Sequence, residues 1–152
     1  MEIKQLQSIV TSVLCSIGFK HWKSNLWKRS GGEISECIHL QRSLYSKLYY
    51  FRYGYIINKL PLKTGVFFHT NENINISISI YKDLQYSLNL ENNLTDVERE
   101  LRIRKHLLMI VPETNAINTE KKLKTILLDE QLPISKEIMD YLNIKCINGV
   151  YE

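Results

Sequence analysis

The sequence predicts an α+β fold: an antiparallel sheet of about four or more strands, a hairpin meander over roughly residues 22–80, packed against an N-terminal helix and C-terminal helices. Three observations predict it. Apolar residues recur with helical spacing at the start of the chain, with a period of two through its middle, and with helical spacing again behind capping residues from Thr95 onward. Strands joined by tight turns pair antiparallel and leave a face for helices to cover, so a parallel sheet is disfavoured. At 152 residues the chain has the length of one domain, and such a domain buries roughly 70% of the surface its unfolded chain exposes.

The first helix is written by Ile3, Leu6, Val10, Val13 and Ile17, with Ile9 and Leu14 widening the stripe. Gly18 is its stop, because a glycine takes the left-handed conformation that closes a helix. A short strand is expected around Trp22 to Arg29, ending in a hairpin turn at Ser30-Gly31-Gly32. The next strand, Ile34 to Arg42, puts Ile34, Ile38 and Leu40 on the core face and Cys37, His39 and Gln41 on the other. A third runs from about Leu48 to Ile57, with Gly54 as a place for a bulge or a close backbone approach. In this strand the more apolar set, Tyr49, Phe51, Tyr53 and Tyr55, should turn inward and leave Tyr50 and Arg52 outside.

A fourth strand is marked by Ile74, Ile76, Ile78 and Ile80 alternating with Asn75, Ser77 and Ser79, which predicts burial of all four isoleucines. Lys59 to Asn73, with Pro61 and Gly65, reads as a connection in which Val66-Phe67-Phe68 is a candidate short strand. Beyond it Thr95-Asp96-Val97-Glu98 has the form of a capping box and opens a helix reaching about Val111, before Pro112, with Leu101, Leu107, Leu108 and Val111 as its apolar side. Two further helices are expected, from about Thr119 to Glu130 and from about Ile134 to Leu142 after Pro133.

Composition narrows the functional classes. No stretch approaches the ~20 apolar residues of a membrane span, and Glu2 and Lys4 interrupt any signal-peptide core, so a cytosolic protein without a membrane partner is expected. Cys15, Cys37 and Cys146 are odd in number and lack C-x-x-C spacing, which speaks against a disulfide framework or a zinc knuckle. The net charge of +4 is uneven. Residues 1–65 hold ten Lys and Arg against three Asp and Glu, whereas residues 66–152 hold ten against thirteen. A basic first half suits an anionic partner, either nucleic acid or an acidic protein surface.

Four segments carry a family resemblance: Leu14-Cys15-Ser16-Ile17-Gly18-Phe19-Lys20, Ser24-Asn25-Leu26-Trp27-Lys28-Arg29, Ile38-His39-Leu40-Gln41-Arg42-Ser43 and Tyr50-Phe51-Arg52-Tyr53-Gly54-Tyr55. Their order of helix, Gly-Phe-basic, aromatic hairpin, Gln-x-Ser and extended segment ending in glycine resembles the uncharacterised bacterial family called domain of unknown function 4304. The resemblance covers about residues 6–60. It implies an α+β fold and a bacterial source, and no reaction.

Candidate sites are few. Tyr45, Tyr49, Tyr50, Phe51, Tyr53 and Tyr55 with Arg42, Lys47 and Arg52 are the mixture favoured at binding hot spots and base-stacking platforms, although alternation sends half the aromatics to the core. Gln41 beside His39 on an open strand face offers both an amide donor and an acceptor, while the structural alternative is that Gln41 and Ser43 fasten the strand end to a nearby loop. Lys20, His21, Lys23, Lys28 and Arg29 make a basic hairpin, most simply a protected sheet edge. Arg99, Arg102, Arg104, Lys105 and His106 are expected on a solvated helix face, with pairs Glu98–Arg102 and Glu100–Arg104 at helical spacing. His21, His39, His69 and His106 share no metal-ligand spacing, and no metal or cofactor is called for. One catalytic arrangement is available, a thiolate–imidazole pair of Cys37 and His39, against which stands the ordinary role of a buried cysteine as a small hydrophobe. The expectation is a non-enzymatic module binding a protein partner through Gln41, Tyr50 and Arg52, with an immunity or antitoxin-like role as one version. The alternatives are a nucleic-acid-binding domain using the basic N-terminal half, and an unrecognised enzyme.

Overall fold

The computed structural model of the chain describes residues 1–60, 82–110, 117–131 and 134–152, together with the backbone of 74–77. Helix α1 spans Ile3–Ser16 and buries Leu6, Ile9, Val10, Val13 and Leu14, the stripe that its sequence spacing requires. It ends in a Schellman closure: Gly18 lies at φ +90, its N–H bonds to Cys15 O at 3.2 Å, and Phe19 N–H bonds to Leu14 O at 3.0 Å.

The segment expected as one strand from Trp22 to Arg29 is instead a hairpin of β1 (Lys20–Lys23) and β2 (Leu26–Gly31). The chain reverses at Ser24 and Asn25, with Ser24 at φ +44. Without a glycine this turn is weakly marked in sequence, and contacts made elsewhere hold it. Asn25 O accepts Leu40 N–H at 2.9 Å, and the Asn25 side chain accepts a hydrogen bond from the Gln7 amide of α1. The turn at Gly31 and Gly32 forms as expected. A β-carbon on Gly31 would come within 3.1 Å of Asn118 Cβ, so these glycines also admit the chain that leads into a later helix.

Strand β3 (Ile34–Arg42) and strand β4 (Tyr49–Ile57) pair antiparallel along their whole length, and β4 passes through Gly54 without a break in register. Strand β5 (Ile74–Ser77) adds to β4, giving a five-stranded sheet in the order β1-β2-β3-β4-β5 with every neighbour antiparallel. The expected burial of the isoleucines at 74, 76, 78 and 80 lies outside the described residues, as do Pro61, Gly65, the candidate strand at 66–68, Val111-Pro112 and Pro133.

Helix α2 (Lys82–Ser87) was not anticipated. Helix α3 (Asp96–Ile110) opens on the expected capping box, with Thr95 N–H donating to Glu98 Oε2 at 3.0 Å and Glu98 N–H to Thr95 Oγ1 at 3.2 Å. Its buried stripe corrects the expected one: Arg99, Ile103 and Leu107 are buried, whereas Leu101 and Leu108 are exposed. Positions 99, 103 and 107 follow the four-residue helical repeat and face α1 and α2. Arg99 can occupy this stripe because α2 and the segment after it offer carbonyl oxygens to its guanidinium. Helix α4 (Glu120–Asp129) is capped by Thr119, and α5 (Lys136–Leu142) by Ser135, two residues later than the expected start near Ile134. A small hairpin of β6 (Cys146–Ile147) and β7 (Val150–Tyr151) ends the described chain, turning through Asn148 at φ +52 and Gly149 at φ +80. Asn148-Gly149 is the strongest short hairpin signal, because both positions accept the positive φ that the turn requires.

One core joins one face of the sheet (Trp27, Ile34, Ile38, Leu40, Phe51, Ile57) to α1 and to apolar residues of all four later helices. Leu26, Cys37 and Ile56 on the opposite face form a second, small buried cluster. Alternation places Cys37 on the face away from the core. Its full burial shows that this face is closed over its middle, so the accessible positions are displaced to its ends.

Candidate functional site

The β3–β4 register sets Gln41 opposite Tyr50 and His39 opposite Arg52. Since alternate residues of a strand share a face, these four side chains lie on the face turned away from the core. Tyr49, Phe51, Tyr53 and Tyr55 are buried, as the apolarity of that set requires, while Tyr50 and Arg52 are half-buried. With Arg42 and the loop residues Ser43, Leu44 and Tyr45, the outer residues line an open cleft of about 430 Å³. Arg52 Nε donates to Gln41 Oε1 at 2.5 Å, so the glutamine holds one edge of the guanidinium and orients the planar fork. Gln41 therefore serves the arginine across the strand, and Ser43 serves the loop, its Oγ accepting Tyr45 N–H at 3.2 Å.

The loop is anchored at both ends. Ser43 N–H donates to Leu48 O at 2.8 Å, Leu90 N–H to Lys47 O at 3.0 Å, and Tyr49 N–H to Leu88 O at 3.1 Å. Residues 87–92 are held in turn by Arg99, which donates to Ser87 O at 2.8 Å, Asn89 O at 2.6 Å and Asn92 Oδ1 at 2.7 Å. The expected solvated role of Arg99 is thus replaced by a buried one, 1% exposed, that supports the cleft from behind. On this anchored loop Leu44 and Tyr45 are 91% and 95% exposed. Among the described residues, Arg42 and Arg52 have no carboxylate within ion-pair distance, and no acidic side chain lines the cleft. The cleft combines two cations, an amide-oriented fork and a projecting apolar pair.

A second polar cluster lies inside the core. Glu36 is 2% exposed. It accepts Arg29 Nε–H at 2.7 Å, the Tyr53 hydroxyl at 2.5 Å and Ile117 N–H at 3.2 Å, while Arg29 also donates to Ile17 O at 2.8 Å. Burial and then the Glu36 charge push the Tyr53 hydroxyl far above the ordinary tyrosine range, and the same two causes raise Tyr55. Arg29 loses some affinity for its proton through burial, but the hydrogen bond and charge of Glu36 outweigh this and raise it overall. Arg29, Tyr53 and Ile117 converge on Glu36, and Arg29 also holds Ile17 O, so the cluster pins α1, three strands and the entry to α4 together. Period-two reading puts Glu36 with Ile34 and Ile38, and Arg29 stands opposite it; that pairing was the available signal. Cys37 packs with Leu26 and Ile56 and is fully buried. Among the described residues no three histidine, cysteine or acidic side chains gather as a metal site requires.

The fold and its cleft define a small α+β domain with a five-stranded antiparallel sheet backed by helices. The chain belongs to the family described as domain of unknown function (DUF4304), whose model matches residues 10–136 and so extends well past the four segments that first suggested it. No curated protein and no solved structure matches the chain. No helix among the described residues is long and apolar enough to cross a membrane.

Proposed function

We propose that the chain is a non-enzymatic protein-binding module whose partner docks in the cleft of Gln41, Tyr50 and Arg52. The observation that carries this reading is an anchored loop that displays Leu44 and Tyr45 to solvent beside two arginines lacking carboxylate partners among the described residues. Interfaces draw their energy from a few aromatic and arginine anchors surrounded by contacts that exclude water. A matching partner presents an apolar side chain to Leu44 and Tyr45 and a carboxylate to the oriented guanidinium of Arg52, where a bidentate pair forms. An immunity or antitoxin-like role in a bacterial cytosol is one concrete version, in keeping with three free cysteines.

The test is calorimetric binding of the product of the adjacent gene to wild type, Tyr50→Ala and Arg52→Ala. Each anchor is expected to cost about 2 kcal/mol, or roughly a 30-fold loss of affinity. Wild-type affinity in both variants removes the cleft as the docking site. Cys37→Ser is expected to leave that affinity unchanged, and loss of binding without loss of fold would move attention to the thiol.

A further inference from the structure

We propose that the β1–β2 hairpin is a second site, separate from the cleft, that takes single-stranded nucleic acid, with a base stacked on Trp22 and phosphates on Lys20, Lys23 and Lys28. The hairpin holds no acidic residue between Lys20 and Gly31. All four side chains of β1 are exposed, including Trp22 at 42%. Lys23 Nζ and Lys28 Nζ each lie 5.1 Å from the centroid of the Trp22 ring. Lys20, His21, Trp22 and Lys28, with Gly18 and Ser30, line a depression of about 260 Å³.

Edge protection accounts for lysines on β1, the outermost strand. It does not account for Lys28, which lies on the inner strand β2 directly opposite Lys20. Like charges in opposed positions of an antiparallel pair disfavour the sheet, and a bound anion between them reverses that effect. Nor does edge protection require a large aromatic ring in water, since the hairpin's other tryptophan, Trp27, is fully buried.

An exposed ring flanked by ammonium groups is the arrangement by which single strands are held: the ring stacks an unpaired base and the cations track the backbone. When a base takes the ring face, a lysine displaced from it stands next to the phosphates of the same strand. A paired duplex offers the ring no free base face. A bilayer is a poorer match, because the hairpin tip is Ser24-Asn25 and brings no apolar group to insert. An acidic protein surface would use the lysines and leave the ring without a role.

The test is titration with an oligothymidylate of about 12 nucleotides, within the usual range of site sizes. Trp22 fluorescence should be quenched, Trp27 being buried. Affinity should fall roughly 20-fold between about 50 and 200 mM salt, as three phosphate contacts require. By anisotropy of a labelled oligonucleotide, Trp22→Ala should bind on the order of tenfold more weakly, and Lys28→Ala should bind more weakly with a shallower salt slope. Circular dichroism of both variants should match wild type. Tyr50→Ala and Arg52→Ala should bind the oligonucleotide normally, which separates this site from the cleft. Absence of quenching, undiminished binding by Trp22→Ala, or tighter binding to a duplex, to polyglutamate or to phosphatidylglycerol vesicles than to the oligonucleotide overturns the proposal.

Discussion

Glu36 shows how one residue type can mean different things at equivalent strand positions. On the core face of β3 a carboxylate is tolerated only when its charge and lone pairs are met, and Arg29, Tyr53 and Ile117 meet them. Breaking a buried pair by removing one partner leaves the other charge uncompensated, so Glu36→Ala should lower unfolding free energy by about 3–5 kcal/mol, measured by urea denaturation. Glu36→Gln keeps an acceptor for the hydroxyl and should cost less. An equal cost for the two would mean that the lost charge beside Arg29, and not the lost acceptor, sets the penalty. The same cluster predicts alkaline behaviour. Tyr53 and Tyr55 are raised above the 10.0 of a free tyrosine by burial first and by Glu36 second. A raised folded value means that the contribution is fully present below the unfolded value and is lost as pH rises through the folded one. Stability should therefore fall above about pH 10, with these two phenols ionising only on unfolding. Phenolate absorbance followed alongside circular dichroism checks this; ionisation of every tyrosine in the folded state would contradict it.

At the scale of elements, local signals worked where a single residue type dictates backbone geometry. Gly18 closes α1 at φ +90, a conformation costly to any residue with a β-carbon, and a β-carbon there would also touch Arg29 Cδ at 3.4 Å. Gly18→Ala should lower stability by about 1–2 kcal/mol. Thr95→Ala removes one half of the reciprocal cap of α3 and should cost about 1 kcal/mol, lost first as fraying of that helix. Thermal unfolding of both variants gives the comparison, and a neutral Gly18→Ala would show that the turn relaxes to a different closure. Elements held by distant contacts were less legible. The β1–β2 turn depends on Gln7 and Leu40, and α2 has only six residues. In the same way the buried side of α3 was misassigned because hydrophobicity alone marks Leu101 and Leu108, while carbonyls from residues 87 and 89 draw Arg99 inward.

For the whole molecule, the sheet and the helices share one core on one face, and the opposite face is closed at its centre by the Leu26, Cys37 and Ile56 cluster. Stability should be graded accordingly. Amides of β3, flanked by strands on both sides, should exchange slowest with deuterium, and those of the outermost β1 and of the β6–β7 hairpin fastest. Fast exchange in β3 would mean that the sheet opens as separate hairpins. On this face the proposed cleft lies at the Gln41 end and the proposed lysine-rich site at the β1–β2 edge.

The sequence by itself determined the fold class, the faces of β3 and β4, the closure of α1 and the capping of α3, because each depends on periodicity or on a backbone conformation that few residues accept. It also placed Gln41, Tyr50 and Arg52 on one side of their strands. Only the tertiary structure decided that Gln41 orients Arg52, that Leu44 and Tyr45 stand beside them, that Arg99 holds the supporting segment, and that Glu36 is neutralised in the core. The physical reason is range. Strand faces and helix ends follow from neighbours a few residues apart, whereas a buried charge or an anchored loop depends on partners up to 81 residues away, as between Ile117 and Glu36.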